Sequence, residues 1–341
     1  MKKGFFGIAA SLCLVLCVSF SFAAEQVEPN DKCTAAGPPP ASPYCFLQPS
    51  FSAGFSEAGA ANYQFNFSPA LAIFEGVPAE NLRTPAFPGF YIAGDLPYAV
   101  NDRLTVTLGA RWAPGYNDGQ GQETFNDLFT GAEFGIGWGS VSSDWVTADL
   151  LASYVLARNC SCLKDFSVVA GFRYDYHHMG LSDPIFNPLV VNETASDTIG
   201  LTTQTWGPVA GFTATFPGYR CGIWGGDIKL GVLGSPLVWG NVDYHETYGL
   251  GFLAVATYNG NLDATQSEFF NISAEATAVS WKMCSGLQAT VSIFADYTQF
   301  YGAGNLSGQV TVLDGPAAAG PVGFRMSPDL LTAGLKLVLA F

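Results

Sequence analysis

Charge is scarce in this chain: only 12% of its 341 residues are Asp, Glu, Lys or Arg, about half the share with which a soluble protein covers its surface. Long apolar runs are scarce too. Beyond residue 23 no stretch approaches the ~20 apolar residues of a spanning helix, so membrane residence of that part would have to come from strands. Basic residues are few. Once Lys2 and Lys3 are set aside, 12 of them face 28 acids, which argues against a nucleic-acid or anionic-lipid partner. Histidine occurs three times, and the tandem His177 and His178 point to opposite faces of any strand, so they cannot share a metal. The run Gly135, Gly137, Gly139 is followed by no Lys-Ser/Thr and is not a phosphate loop. No cofactor or metal is expected.

What the chain does have is aromatic residues, at 14%, and a mean hydropathy of +0.23. Something apolar must cover such a surface. Residues 1–23 read as a secretory signal peptide, with Lys2 and Lys3 as the basic start, an apolar run from Phe5 to Val18, and Ser21 and Ala23 as small residues at the cleavage site. The alternative is a single membrane anchor, for which residues 4–23 are just long enough. Residues 24–50 then form a periplasmic segment containing Pro and Cys, and residues 51–341 the folded body.

That body carries strict alternation over the length a tilted membrane strand needs. From Trp145 to Ala157, Val146, Ala148, Leu150, Ala152, Tyr154 and Leu156 oppose Thr147, Asp149 and Ser153. From Phe166 to His178, Phe172, Tyr174 and Tyr176 oppose Arg173, Asp175 and His177. The same period places Ile272 to Ala278 against Asn271 to Thr277, Leu287 to Tyr297 against Gln288 to Thr298, and Leu331 to Phe341 against Thr332 and Lys336. Weaker alternation marks strands near 60–67, 88–98, 103–113, 202–216 and 223–239. One such strand alone would fit a soluble sandwich. The set points to an all-β, antiparallel transmembrane barrel of about 10 strands: charges gather on the face opposite the aliphatic one, and Trp and Tyr collect near strand ends.

With Phe341 ending the closing strand in the periplasm, as an assembly signal read by the barrel-assembly machinery, short turns fall at 99–102, 158–164, 217–222 and 283–286. The long connections, near 68–87, 114–143, 179–201, 240–265 and 302–327, fall outside. Phe129 to Trp138 and Gly249 to Tyr258 look like strands inside long connections. Counted as spanning they would give 12 strands but would flip the sides of everything between them. They are therefore expected as extensions or hairpins above the membrane.

The sides sort the charges. Glu75, Glu80, Asp118, Glu123, Asp127, Glu133, Asp183, Glu193, Asp197, Asp243, Glu246, Asp263 and Asp314 fall outside against Arg83 and Arg325. An acidic vestibule of this kind concentrates cations. Within the barrel Arg103, Arg111, Asp149, Arg173, Asp175, His177, Asp227, Lys229, Glu275, Asp296 and Lys336 are expected to form a lumen ladder of mixed sign, paired across strands. Of the eight cysteines, Cys13 and Cys17 leave with the signal. Cys33, Cys45, Cys160, Cys162, Cys221 and Cys284 remain as an even set on the periplasmic side of an exported protein. Disulfides are expected there, within one barrel or between neighbours.

Residues 145–180, WVTADLLASYVLARNCSCLKDFSVVAGFRYDYHHMG, and 205–240, TWGPVAGFTATFPGYRCGIWGGDIKLGVLGSPLVWG, resemble hairpins of the major-outer-membrane-protein-like barrels of Legionella and environmental chlamydiae. The resemblance covers roughly a fifth of the chain and is weaker over the first hundred residues. It implies a pore-forming surface protein whose cysteines cross-link the envelope.

The first expectation for function is therefore a porin of the bacterial outer membrane that passes small solutes with cation preference, surrounded by lipid, either single or a homo-oligomer, and not an enzyme. A second is a non-conducting structural barrel or adhesin, since a ten-stranded barrel is narrow and side chains can fill it. The Gly, Ser and Thr of the lumen faces instead leave room for water. A third is a protease: Asp175-x-His177 resembles half of the omptin catalytic set, but the chain contains no Asp-x-Asp to supply the other half.

Overall fold

In the computed structural model the described residues are 47–58, 62–67, 78–83, 87–117, 121–126, 133–160, 163–185, 195–250, 253–262, 266–282, 287–312, 315–318 and 322–340. The residues read as a signal peptide, most of the expected N-terminal segment and Phe341 lie outside them. The strands are, in chain order, β1 (Ser50–Ala58), β2 (Asn62–Phe67), β3 (Pro78–Arg83), β4 (Phe87–Ala99), β5 (Leu104–Asn117), β6 (Gly121–Asn126), β7 (Glu133–Cys160), β8 (Leu163–Ile185) and β9 (Ala195–Phe216). There follow β10 (Arg220–Cys221), β11 (Trp224–Gly225), β12 (Ile228–Leu250), β13 (Leu253–Leu262), β14 (Gln266–Lys282), β15 (Gln288–Val312), β16 (Gly315–Ala318), β17 (Val322–Met326) and β18 (Asp329–Ala340).

Ten antiparallel staves close into a barrel. In ring order they are β1, β4, β5, β7, β8, β9, β12, β14, β15 and β18, and β18 pairs back to β1 through nine residue pairs, Ser50↔Val338 to Ala58↔Leu330. Closure removes the sheet edge, so no row of backbone N–H and C=O groups is left for hydrocarbon. Five staves are prolonged by a second strand: β2 continues β1, β3 leads into β4, β6 continues β5, β13 leads into β14 and β17 leads into β18. These pieces pair among themselves and with the upper parts of β7, β12 and β15, so the same ring closes again above the first. β7 alone is 28 residues long, whereas a membrane crossing takes ~9–11. More than half of such a stave stands clear of any bilayer.

Ten staves agree with the count from alternation, and the two ambiguous segments resolve as extensions. Glu133 to Trp138 open β7, while Gly249 and Leu250 end β12 and lead through a hairpin into β13. Two expectations are corrected. The first stave is β1, and the Tyr63, Phe65, Phe67 alternation of β2 belongs to the upper ring. The connection after β9 runs to residue 227 and contains the small β10–β11 hairpin, in which Gly222 and Gly225 take φ of 61° and 78°; residues 223–227 are thus not part of the next stave. At another short turn the Asn101 carboxamide oxygen accepts the N–H groups of Arg103 and Leu104, both at 2.9 Å, which fixes the reversal locally.

The two halves of the barrel have opposite polarity. Toward the short turns the outer face is apolar, with Phe51, Phe55, Leu96, Leu108, Leu150, Phe172, Phe212 and Leu335 all exposed, and the inner face carries Ser, Thr and charge. Exposed aromatics border this belt: Tyr98, Tyr219 and Trp224 toward the short turns, Phe90, Trp112, Trp239, Phe270 and Tyr301 toward the long loops. In the upper half the pattern reverses. Outward positions are polar, with His178 Nδ1 2.9 Å from Thr202 Oγ1, His245 Nδ1 2.5 Å from Asn259 Oδ1, and Asp243 exposed. Inward positions are apolar: Met179, Leu181, Leu201 and Val242 are 0% exposed, Ile199 1% and Tyr244 2%. The lower half is built for a hydrocarbon solvent and the upper half for water.

Candidate functional site

The inward face of the lower half brings most of the expected lumen charges together. Arg111 on β5 and Arg173 on β8 both hold Asp149 on the β7 stave between them; Arg173 Nε donates to Asp149 Oδ1 at 2.6 Å and a second guanidinium nitrogen to Oδ2 at 3.0 Å. A carboxylate forked between two guanidiniums has its lone pairs satisfied away from bulk water. Lower down, Lys336 spans two staves in each direction, 3.7 Å from Asp95 on β4 and 3.2 Å from Glu275 on β14. Asp296 accepts from Asn271 at 2.8 Å, and Lys229 faces the same space.

Two of the expected lumen residues lie elsewhere. Arg103 is exposed in the short turn before β5, since the strand starts one residue later. Asp227 ends the connection after the β10–β11 hairpin and pairs with Lys164 at the rim. Cys221 is exposed and carries a free thiol. Cys33, Cys45, Cys162 and Cys284 lie outside the described residues, and Cys160 ends β7. Of the acids assigned to outer connections, Glu80, Glu123, Glu133, Asp183, Asp197, Asp243 and Glu246 stand on strands of the upper ring. Glu246 points inward, buried, and accepts from Tyr244 Oη at 3.0 Å.

Above the ion pairs the lumen is crossed by rings. Trp145 of β7 and Phe300 of β15 stand five staves apart in a ring of ten, on opposite walls, yet their ring centroids are 5.6 Å apart. Phe300 packs on Phe269 at 5.2 Å, and the Arg173 guanidinium lies 4.3 Å above the Phe269 ring. Tyr91 and Phe294 make a second chord at 5.5 Å. These side chains form a septum. Below it lies a cavity of about 600 Å³ that reaches residues of the short-turn end such as Gln48, Pro97 and Arg158. Just above it, a gap of about 10 Å³ among Trp145, Asp175, His177, Thr203, Thr205, Phe300 and Pro328 has room for about one water.

Asp175 and His177 share this upper pocket, each with its own partners. The Asp175 carboxylate accepts from Thr147 Oγ1 at 2.6 Å and Trp145 Nε1 at 3.4 Å. His177 Nε2 lies 3.1 Å from Ser143 Oγ, its ring 4.9 Å from that of Trp145, and its Nδ1 has no partner among the described residues. Both residues are buried. The septum residues Trp145, Phe294 and Phe300 were absent from the expected set, although each sits on the polar parity of its strand. A large aromatic on a wet face was the available signal.

No family model and no curated protein matches the chain. Among solved structures it is similar to the outer membrane protease OmpT of Escherichia coli, with a TM-score of 0.59 at 12% identity over 86% of this chain and 96% of that one. The outer membrane protein OprG of Pseudomonas aeruginosa matches at a TM-score of 0.27 and 12% identity, covering 85% and 95%. The translocator domain of the autotransporter NalP of Neisseria meningitidis matches at 0.30 and 8%, covering 98% and 96%. At such identity the first likeness speaks for the shared fold, an outer-membrane-type β-barrel.

Proposed function

We propose that this protein resides in the bacterial outer membrane as a barrel closed to free diffusion, and that it acts through the tall acidic rim it holds beyond the lipid, as a surface scaffold or adhesin. The observation that carries this reading is the contact of Trp145 with Phe300 across the full width of the barrel. Fully buried apolar side chains stand above it. Water and ions would have to pass a packed layer whose aromatic rings meet across the lumen and whose few polar groups are buried, which leaves too little space and too few partners to replace their hydration.

A second reading is the cation-preferring pore for small solutes. The wide, charged cavity below the septum favours it, and the acidic rim would supply the preference. Conduction then requires the septum to move. Planar-bilayer recording of refolded protein separates the two. The closed barrel gives no steps, and the Trp145→Ala, Phe300→Ala double variant, folded by its heat-modifiable migration, conducts. Regular cation-selective steps from the wild type would overturn the closed reading. Hydrolytic activity is not part of either proposal, because the Asp175 and His177 side chains are enclosed.

The lipid of the outer membrane around the belt and the assembly machinery at the C-terminal strand are the partners this reading requires. Cross-linking through cysteines, or a homo-oligomer, would array the rims side by side.

A further inference from the structure

We infer that the blind lower cavity is a binding site for a small polyhydroxylated monocarboxylate, entered from the short-turn end and held by the ammonium of Lys229. The inference goes beyond the closed-barrel reading and does not depend on it, since Lys229 and the hydroxyls beside it stand on β9, β12 and β14 and are not part of the septum.

A cavity of about 600 Å³ lies within the usual range for small-molecule sites, roughly 300–1,000 Å³. Five cations line it, and four are engaged: Arg111 and Arg173 with Asp149, Arg158 with Asp165, and Lys336 with Asp95 and Glu275. Lys229 has no carboxylate in ion-pair contact among the described residues. Its cross-strand neighbour Glu275 is held by Lys336 at 3.2 Å instead. The Lys229 side chain is exposed and lines the cavity, and as a cation without an ion-pair partner among the described residues it is placed to form a charge-assisted hydrogen bond with an incoming carboxylate.

The wall around it offers hydroxyls. Thr215 stands opposite Lys229 on β9, and Thr213 and Ser273 flank the next inward position, Gly231, on either side. None of the three hydroxyls has a hydrogen-bond partner among the described residues. Gly231 itself keeps the floor between them open, for a Cβ there would come within 2.5 Å of Ser273 Oγ. One ammonium for a carboxylate and three hydroxyls for a polyol chain describe a sugar-acid type of ligand. The acids that share the cavity, Glu275 among them, repel a second negative charge, so a monoanion is selected over a dianion.

Isothermal titration of the full refolded chain in detergent with gluconate, glucarate and sorbitol tests this. Gluconate is expected to bind saturably, the dianion glucarate and the uncharged sorbitol at least about tenfold more weakly, and Lys229→Gln to lose about tenfold or more in gluconate affinity. Absence of saturable gluconate binding would overturn the site, as would sorbitol or glucarate matching it, or a folded Lys229→Gln variant that binds like wild type. Should that variant not fold, acetylation of Lys229 in the wild type is followed by mass spectrometry. Gluconate is expected to slow it, and an unchanged rate counts against the site.

Discussion

At the scale of single residues, burial decides which ion pairs matter. Asp149 is 2% exposed, and Arg173, which forks onto it, is 6% exposed. Replacing Asp149 with Asn leaves two guanidiniums, one of them buried, facing each other without their shared anion, which costs about 3 kcal/mol or more. Glu275 and Lys336 are each about a fifth exposed, so Glu275→Gln is expected to change stability by less than about 1 kcal/mol. Denaturant unfolding in lipid vesicles measures both, and equal effects would contradict the ranking. The charged members of the site were legible because strand parity alone puts Arg111, Asp149, Arg173 and Lys336 on one wall. Their partners were not legible. That Lys336 reaches Asp95 and Glu275 across two staves each way, or that Trp145 meets Phe300, depends on barrel curvature, which a linear pattern does not encode.

At the scale of elements, the seam between β1 and β18 shows how the ring closes. Gly54 and Gly334 are paired in register, both on the inward parity, and their backbones approach so closely that a Cβ on Gly334 would lie 2.2 Å from the Ala53 carbonyl oxygen. Strand glycines that admit such approach let a small barrel bend at a corner. Gly334→Val is therefore expected to abolish the heat-modifiable folded band on gels, whereas Ala333→Val, on the outward face beside it, retains it. A folded Gly334→Val barrel would show that the seam can open without loss. Uninterrupted staves such as β8 were readable from sequence because their alternation runs without a break. The place of the first stave is not legible in the sequence, because β1 and β2 both alternate and belong to one stave, which gives two equal candidates for one crossing. The β10–β11 hairpin leaves no mark on the pattern, since two-residue strands are too short to carry any period.

At the scale of the whole molecule, the reversal of polarity partway up the barrel sets the height of the membrane, and tryptophan reports it. Trp112 is exposed on the outer face, and its Nε1 points at Asp144 Oδ1 at 3.4 Å. An indole of this kind belongs at the boundary between hydrocarbon and headgroups, ring in one and N–H toward the other. Trp145 lies one residue from Asp144 along the chain but faces inward and is 2% exposed. Two indoles at nearly the same height thus see different solvents, lipid for one and the septum for the other. In vesicles of bromine-labelled lipid, a variant keeping Trp112 as its single tryptophan is expected to lose most of its emission, and one keeping Trp145 to retain nearly all of it. Equal quenching of the two would mean that lipid does not meet this face, and the belt would then have to be covered by protein instead.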